Sequence, residues 1–178
     1  GVLAPASLPG ADDDARRELY AAALERAFEY AYPTDVTAQV FATEGGQPEL
    51  AAFVEQHPEF DLGSTHVETF LAGGPRLPPE AAADLPRTLR LAQRLHAVLP
   101  TLGRRGPLAA MLRAGFTSAS QIHRLGPGAL ARRMPTVSAD QIAQIHRRAG
   151  QVSSKAMATF FKFGSVAQAA LPAAMAPV

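Results

Sequence analysis

Fifteen prolines and fourteen glycines divide this 178-residue chain so finely that long regular elements can form in few places. Neither residue is at home inside a helix or strand, so together they must punctuate many shorter elements. Between them the apolar residues recur at helical spacing, and no segment alternates as a half-buried strand would. The spacing predicts an all-α fold of many short helices, packed as a bundle or as stacked helical hairpins. Thirty-six alanines favour helix but bury little area each, so a loose or partner-supported core is expected.

The punctuation predicts the helices in order. Asp12-Asp13-Asp14 opens the first, placing carboxylates against exposed backbone N–H groups. Leu19, Tyr20, Ala23, Leu24, Ala27, Phe28 and Ala31 carry its apolar spacing, and Pro33 stops it. A weaker helical segment covers residues 36–42. Pro48 starts another helix, which turns Leu50, Phe53 and Val54 inward. Ser64 or Thr65 caps a short one carrying Val67, Phe70 and Leu71. A longer helix is expected over residues 86–99, with Arg87, Arg90 and Arg94 along one side. Pro107 starts a short helix, Thr117 or Ser118 starts the next, and Gly126-Pro127-Gly128 makes a tight turn. Ser138 with Gln141 three residues later forms a capping box for a last helix over residues 139–161.

Charge divides the chain differently. Residues 1–86 hold four Lys/Arg against fifteen Asp/Glu, a formal charge of −11; residues 87–178 hold thirteen against one, +12. Two halves of opposite sign attract each other or a partner. The reading is therefore a flexible arm (residues 1–10), an acidic helical subdomain (11–75), a connector (76–85), a basic helical subdomain (86–163) and a flexible tail (164–178). The chain begins at glycine without a signal-like leader, which reads as a piece of a larger protein. No stretch approaches eighteen uncharged apolar residues, so no transmembrane segment is expected.

Catalytic and cofactor chemistry find little purchase. The absence of cysteine excludes disulfides, thiolate metal sites and cysteine nucleophiles. His57 and His66 lie near Glu59 and Asp61, but the spacing forms no metal-ligand motif and Pro58 breaks the local helix. His123 and His146 precede arginines and read as packing or solvated residues. Ser118, Ser120 and Ser138 read as caps, since Asp140 is the lone carboxylate of the basic half. No phosphate-binding glycine signature occurs. No enzyme, cofactor or metal is expected.

The basic half carries the candidate contacts: Arg104, Arg105, Arg113, Arg124, Arg132, Arg133, Arg147 and Arg148, placed around turns and helix ends where guanidinium groups reach phosphates or carboxylates. Residues 122–134 (Ile-His-Arg-Leu-Gly-Pro-Gly-Ala-Leu-Ala-Arg-Arg-Met) resemble a helix-hairpin-helix element of DNA-binding proteins. That likeness implies Gly126, Gly128, Arg132 and Arg133 beside a phosphate, and gives a nucleic-acid-binding alternative, cytoplasmic in location. Aromatic residues are scarce among these arginines, so base stacking is not supported.

A broader likeness runs through residues 50–163. It joins residues 57–62 (His-Pro-Glu-Phe-Asp-Leu), 67–71, 89–95 (Leu-Arg-Leu-Ala-Gln-Arg-Leu), Pro100, 111–119 (Met-Leu-Arg-Ala-Gly-Phe-Thr-Ser-Ala), Ile122 and 143–149 (Ala-Gln-Ile-His-Arg-Arg-Ala). In that order these segments resemble the helical region of toxin-complex A-like proteins, including those labelled neuraminidase-like. The resemblance implies a structural, non-catalytic region of a very large secreted virulence assembly, with a protein or other domains of its parent chain as partner. The label brings no glycosidase site with it.

Overall fold

In the computed structural model, residues 12–74 and 83–169 are described, together with Pro5 and Pro9, and side chains are described as far as Lys162. The expected arm therefore lies outside the described residues except at those two prolines. So do most of the connector and the tail beyond Ala169. The described residues form eight helices and no strand, the all-α architecture that the spacing predicts.

Helix α1 (Asp13–Ala31) begins where the acidic triplet predicts. Asp12 is its N-cap, accepting a 2.8 Å hydrogen bond from the Ala15 N–H. Pro33 is the first residue of α2 (Pro33–Glu44) as well as the end of α1: its fixed φ suits the first helical position, where a missing N–H costs nothing. Gly45 and Gly46 turn the chain into α3 (Pro48–Gln56), which packs on α2 as a hairpin. Residues 57–66 then loop to α4 (Val67–Gly73), and α5 spans Leu85–His96. Next come α6 (Arg105–Arg113), α7 (Ala119–Arg133) and α8 (Ala139–Ala169). The last helix runs past the expected end near Phe161.

Other expected details differ: His66, not Ser64 or Thr65, is the N-cap residue of α4, and α6 begins at Arg105, two residues before Pro107. The glycine turn at residues 126–128 is a kink inside α7, opened by Gly126 at φ +73°. The capping box on α8 is half formed. Ser138 Oγ accepts from the Gln141 N–H at 3.3 Å, but the Gln141 amide nitrogen donates to the Gly103 carbonyl at 2.9 Å, across the fold. A reciprocal cap occurs instead on α7, where Ser118 Oγ accepts from the Gln121 N–H and Gln121 Oε1 accepts from the Thr117 N–H.

Helix α2 is the hub, in contact with α1, α3, α5 and α6, while α7 and α8 pack on each other. One continuous apolar cluster joins Phe41, Leu50 and Phe53 of the acidic half to Leu89, Leu95, Leu108, Met111, Ile122, Leu130 and Ile145 of the basic half. Phe53, Phe60 and Phe70 meet edge to face at 5.1–6.0 Å and close the cluster beside α4.

Helix α1 is inverted. Its polar residues Glu25, Arg26 and Glu29 face the body, with Glu29 only 3% exposed. Leu24 and Phe28, one turn apart, lie on the opposite face and are about half exposed (47% and 49%). The apolar spacing of α1 is real, but it does not hold the fold.

Candidate functional site

The charge split is resolved at the turn between α5 and α6. Glu29 reaches from α1 to the N-terminus of α6. Its Oε2 accepts from the Gly103 N–H at 2.5 Å and the Arg104 N–H at 3.2 Å, and its Oε1 from the Arg105 N–H at 3.1 Å. A carboxylate there satisfies orphan N–H groups and opposes the positive end of the helix dipole. From the other side, Arg148 of α8 donates to the Leu99 carbonyl and, at 3.0 Å, to Thr101 Oγ1. The turn is thus fastened by the first helix and the last.

Arg104 is buried. It donates to the Thr101 carbonyl at 3.3 Å and approaches His96 Nε2 at 3.4 Å. Burial lowers its pKa, the attraction of Glu29 opposes that, and Arg148 lowers it further. The Thr37 hydroxyl donates its single proton to the Pro33 carbonyl at 2.8 Å, so at 3.0 Å it accepts from His96 Nδ1–H. The acceptor Nε2 then faces Arg104. Burial and the Arg104 charge push the His96 pKa down to about 4, against a smaller upward pull from Asp61. A neutral imidazole with both nitrogens engaged is a structural piece of this junction.

Nearby, Asp61 organises the 57–66 loop. Its Oδ1 accepts from Gly63 N–H, Ser64 N–H and Ser64 Oγ–H at 2.8–2.9 Å, and its Oδ2 from Thr34 Oγ at 3.0 Å. Partial burial raises its pKa, but the Ser64, Thr34 and Gly63 hydrogen bonds outweigh this and hold it below the ordinary value.

Other candidate arginines also meet the acidic half. Arg105 Nε lies 3.7 Å from Glu25, and Arg113 donates to Glu44 at 2.8 Å. Both pairs line a groove of about 540 Å³ between α1, α2 and α6. Arg90 grips Glu68 through two bonds of 2.6 and 2.9 Å, which lowers the glutamate pKa and raises that of the arginine.

The helix-hairpin-helix-like segment sits apart, on α7. Arg124, Arg132 and Arg147 are exposed. Arg124 bonds Ser120 in its own helix at 2.9 Å, and Arg133 lies 5.9 Å over the Phe116 ring. Gly126 opens the kink, Pro127 contributes no N–H, and a Cβ on Gly128 would stand 3.9 Å from Arg132 Nη1. The His123 and His146 rings pack at 4.9 Å between α7 and α8.

Among the described residues, no group of three or more His, Asp or Glu is placed to hold a metal ion. His57 packs on Phe53 and Phe70 and lies 3.4 Å from Glu59, and His66 is the N-cap residue of α4.

Sequence reasoning missed Glu29, Thr37 and His96. The available signal was a glutamate on the opposite face of an apolar stripe, and a histidine ending a helix with a strong apolar face. It also missed a second groove, of about 380 Å³, where α8 passes α5 and α7. Arg94, Ala119, Val152, Ala156, Met157 and Phe160 line it. On that helix Met157, Phe160 and Phe161 are 57–71% exposed.

No protein-family model matches the sequence, and no curated protein or solved structure matches it. Among the described residues, no helix is long and apolar enough to cross a membrane.

Proposed function

We propose that this chain is a non-catalytic helical module of a larger, secreted toxin-complex-like assembly, and that it works by positioning another protein surface. The observation that carries this reading is the placement of large apolar side chains on the outside of two helices. Leu24 and Phe28 on α1 and Met157, Phe160 and Phe161 on α8 are exposed, although the core beneath is closed. Arginines that first suggest a polyanion partner are engaged elsewhere: Arg90, Arg105 and Arg113 with carboxylates of the acidic half, Arg104 and Arg148 at the α5–α6 turn. The ordered likeness over residues 50–163 supplies the class of parent. Deleting this region from such a parent is expected to abolish its assembly or delivery, and normal delivery by the deleted parent overturns the reading.

A nucleic-acid-binding reading keeps one specific support, the exposed Arg124 and Arg132 on either side of the Gly126 kink in α7, with an exposed Arg147 on the α8 helix packed against it. It requires salt-sensitive DNA or RNA binding that weakens when Arg132 and Arg133 are replaced. Absence of binding at low salt removes it.

A further inference from the structure

We propose that α1 of one copy docks into the α8 groove of a second copy, so that the chain associates with itself head to tail. Both faces are built for apolar contact, and among the described residues neither is closed over: Leu24 and Phe28 are about half exposed beside a half-buried Tyr20, and Phe160 is 71% exposed. Tyr20, Leu24 and Phe28 follow at i, i+4 and i+8 along α1, on the side away from Glu29. On α8 the same period brings Val152, Ala156 and Phe160 to the wall of the groove, with Met157 beside them.

The two faces cannot meet within one chain. Ala22 of α1 and Gln141 at the start of α8 line the same groove, so α1 lies near the beginning of α8. Phe160 stands nineteen residues farther along that helix, about 28 Å away at the α-helical rise.

Charge chooses the pairing. Setting aside Glu29 and Arg148, which the α5–α6 turn engages, Asp12 and α1 carry five carboxylates and three arginines, net −2, while α8 beyond Asp140 carries Arg147, Lys155 and Lys162, net +3. Pairing α1 with α1, or α8 with α8, sets like charges against each other; α1 against α8 sets opposite ones. Arg94 at the groove wall adds a cation for the acidic helix. Such a contact uses two different surfaces, so it is heterologous and propagates into a ring or a filament.

The proposal rests on these faces alone, and its failure leaves the assembly-module reading to its own test of delivery by the intact parent. The experiment is sedimentation of the 178-residue chain over a dilution series, with Leu24→Glu, with Phe160→Glu, and with the two variants mixed. Both positions are exposed, and circular dichroism confirms that the helices persist. The wild type is expected to gain mass with concentration, less so at high salt, and each variant alone to weaken association at least about tenfold. The equimolar mixture is expected to form 1:1 dimers, because one variant keeps an intact α8 face and the other an intact α1 face. A wild type that stays monomeric at its highest soluble concentration overturns the proposal. So does a result in which only one substitution matters, or in which mixing restores nothing.

Discussion

The Glu29 carboxylate lies 2.5 Å from the Gly103 backbone nitrogen, joining residues 74 positions apart. It is a helix cap supplied from a distance: the last turn of an acidic helix closes the first turn of a basic one. Glu29→Ala leaves three N–H groups at the head of α6 without this partner and is expected to cost about 2–3 kcal/mol, since hydrogen bonds to a charged group are the strong ones. Glu29→Gln keeps an acceptor and loses the charge, so about 1 kcal/mol is expected. Urea unfolding of the two variants checks the order.

The half-buried His96 makes stability depend on pH. Its folded pKa, about 4, lies below the ordinary value of 6.5, so between these values the unfolded chain binds a proton that the folded chain does not. Its contribution is whole above pH 6.5 and is lost as pH falls toward 4. The loss is on the order of 3 kcal/mol by pH 4. His96→Asn keeps a donor for Thr37 without a titrating ring. The expected outcome is a flatter stability profile between pH 6.5 and 4, measured by denaturant unfolding at each pH. Asp61, held below its ordinary pKa, contributes stability that is present above that value and lost at still lower pH.

Gly126 and Gly73 predict opposite responses to alanine. At both, a Cβ meets nothing within 4 Å, so packing does not decide. Gly126 holds φ +73° and ψ 159°, a region almost closed to other residues, and Gly126→Ala is expected to cost about 1–3 kcal/mol. Gly73 is the last residue of α4, without a positive φ and not followed by proline, so Gly73→Ala restricts the unfolded chain and is expected to add about 0.4–1 kcal/mol. Thermal melts of both variants read the sign.

Because Phe41 belongs to the same cluster as Leu108 and Ile122, the acidic and basic halves are expected to unfold together. Phe41→Ala removes a fully buried ring and should cost about 3–5 kcal/mol while leaving a single transition. A double-mutant cycle on the exposed Arg113–Glu44 pair should give at most about 1 kcal/mol, reduced by salt. Apolar packing, more than the charge split, then holds the halves together.

Most of the helices were legible in the sequence because their limits are local. Asp12, Pro33, Pro48 and Ser118 act within one turn of where they stand, and the chain needs nothing distant to obey them. The inversion of α1 was not legible. Periodicity reports that a helix has an apolar face but not which face is covered, and the bond from Glu29 to Gly103 turned the polar one inward. Gln141 shows the same limit. Its spacing from Ser138 satisfies a capping box, but the Gly103 carbonyl, 38 residues away, takes its amide nitrogen instead. The role of His96 was not legible, since its burial depends on Thr37 and Arg104 arriving from other elements. The candidate arginines could be named from sequence, but which of them meet carboxylates depended on the tertiary fold.

The long reach of Glu29 also sets an order of events during synthesis. When α1 leaves the ribosome, the N–H groups that its carboxylate will cap do not yet exist. They follow 74 residues later, about 4–15 s at ordinary elongation rates. Through that interval the helix made first has its polar face without this anchor and its apolar face open, so a chaperone or a neighbouring nascent chain meets α1 before the rest of its own fold does.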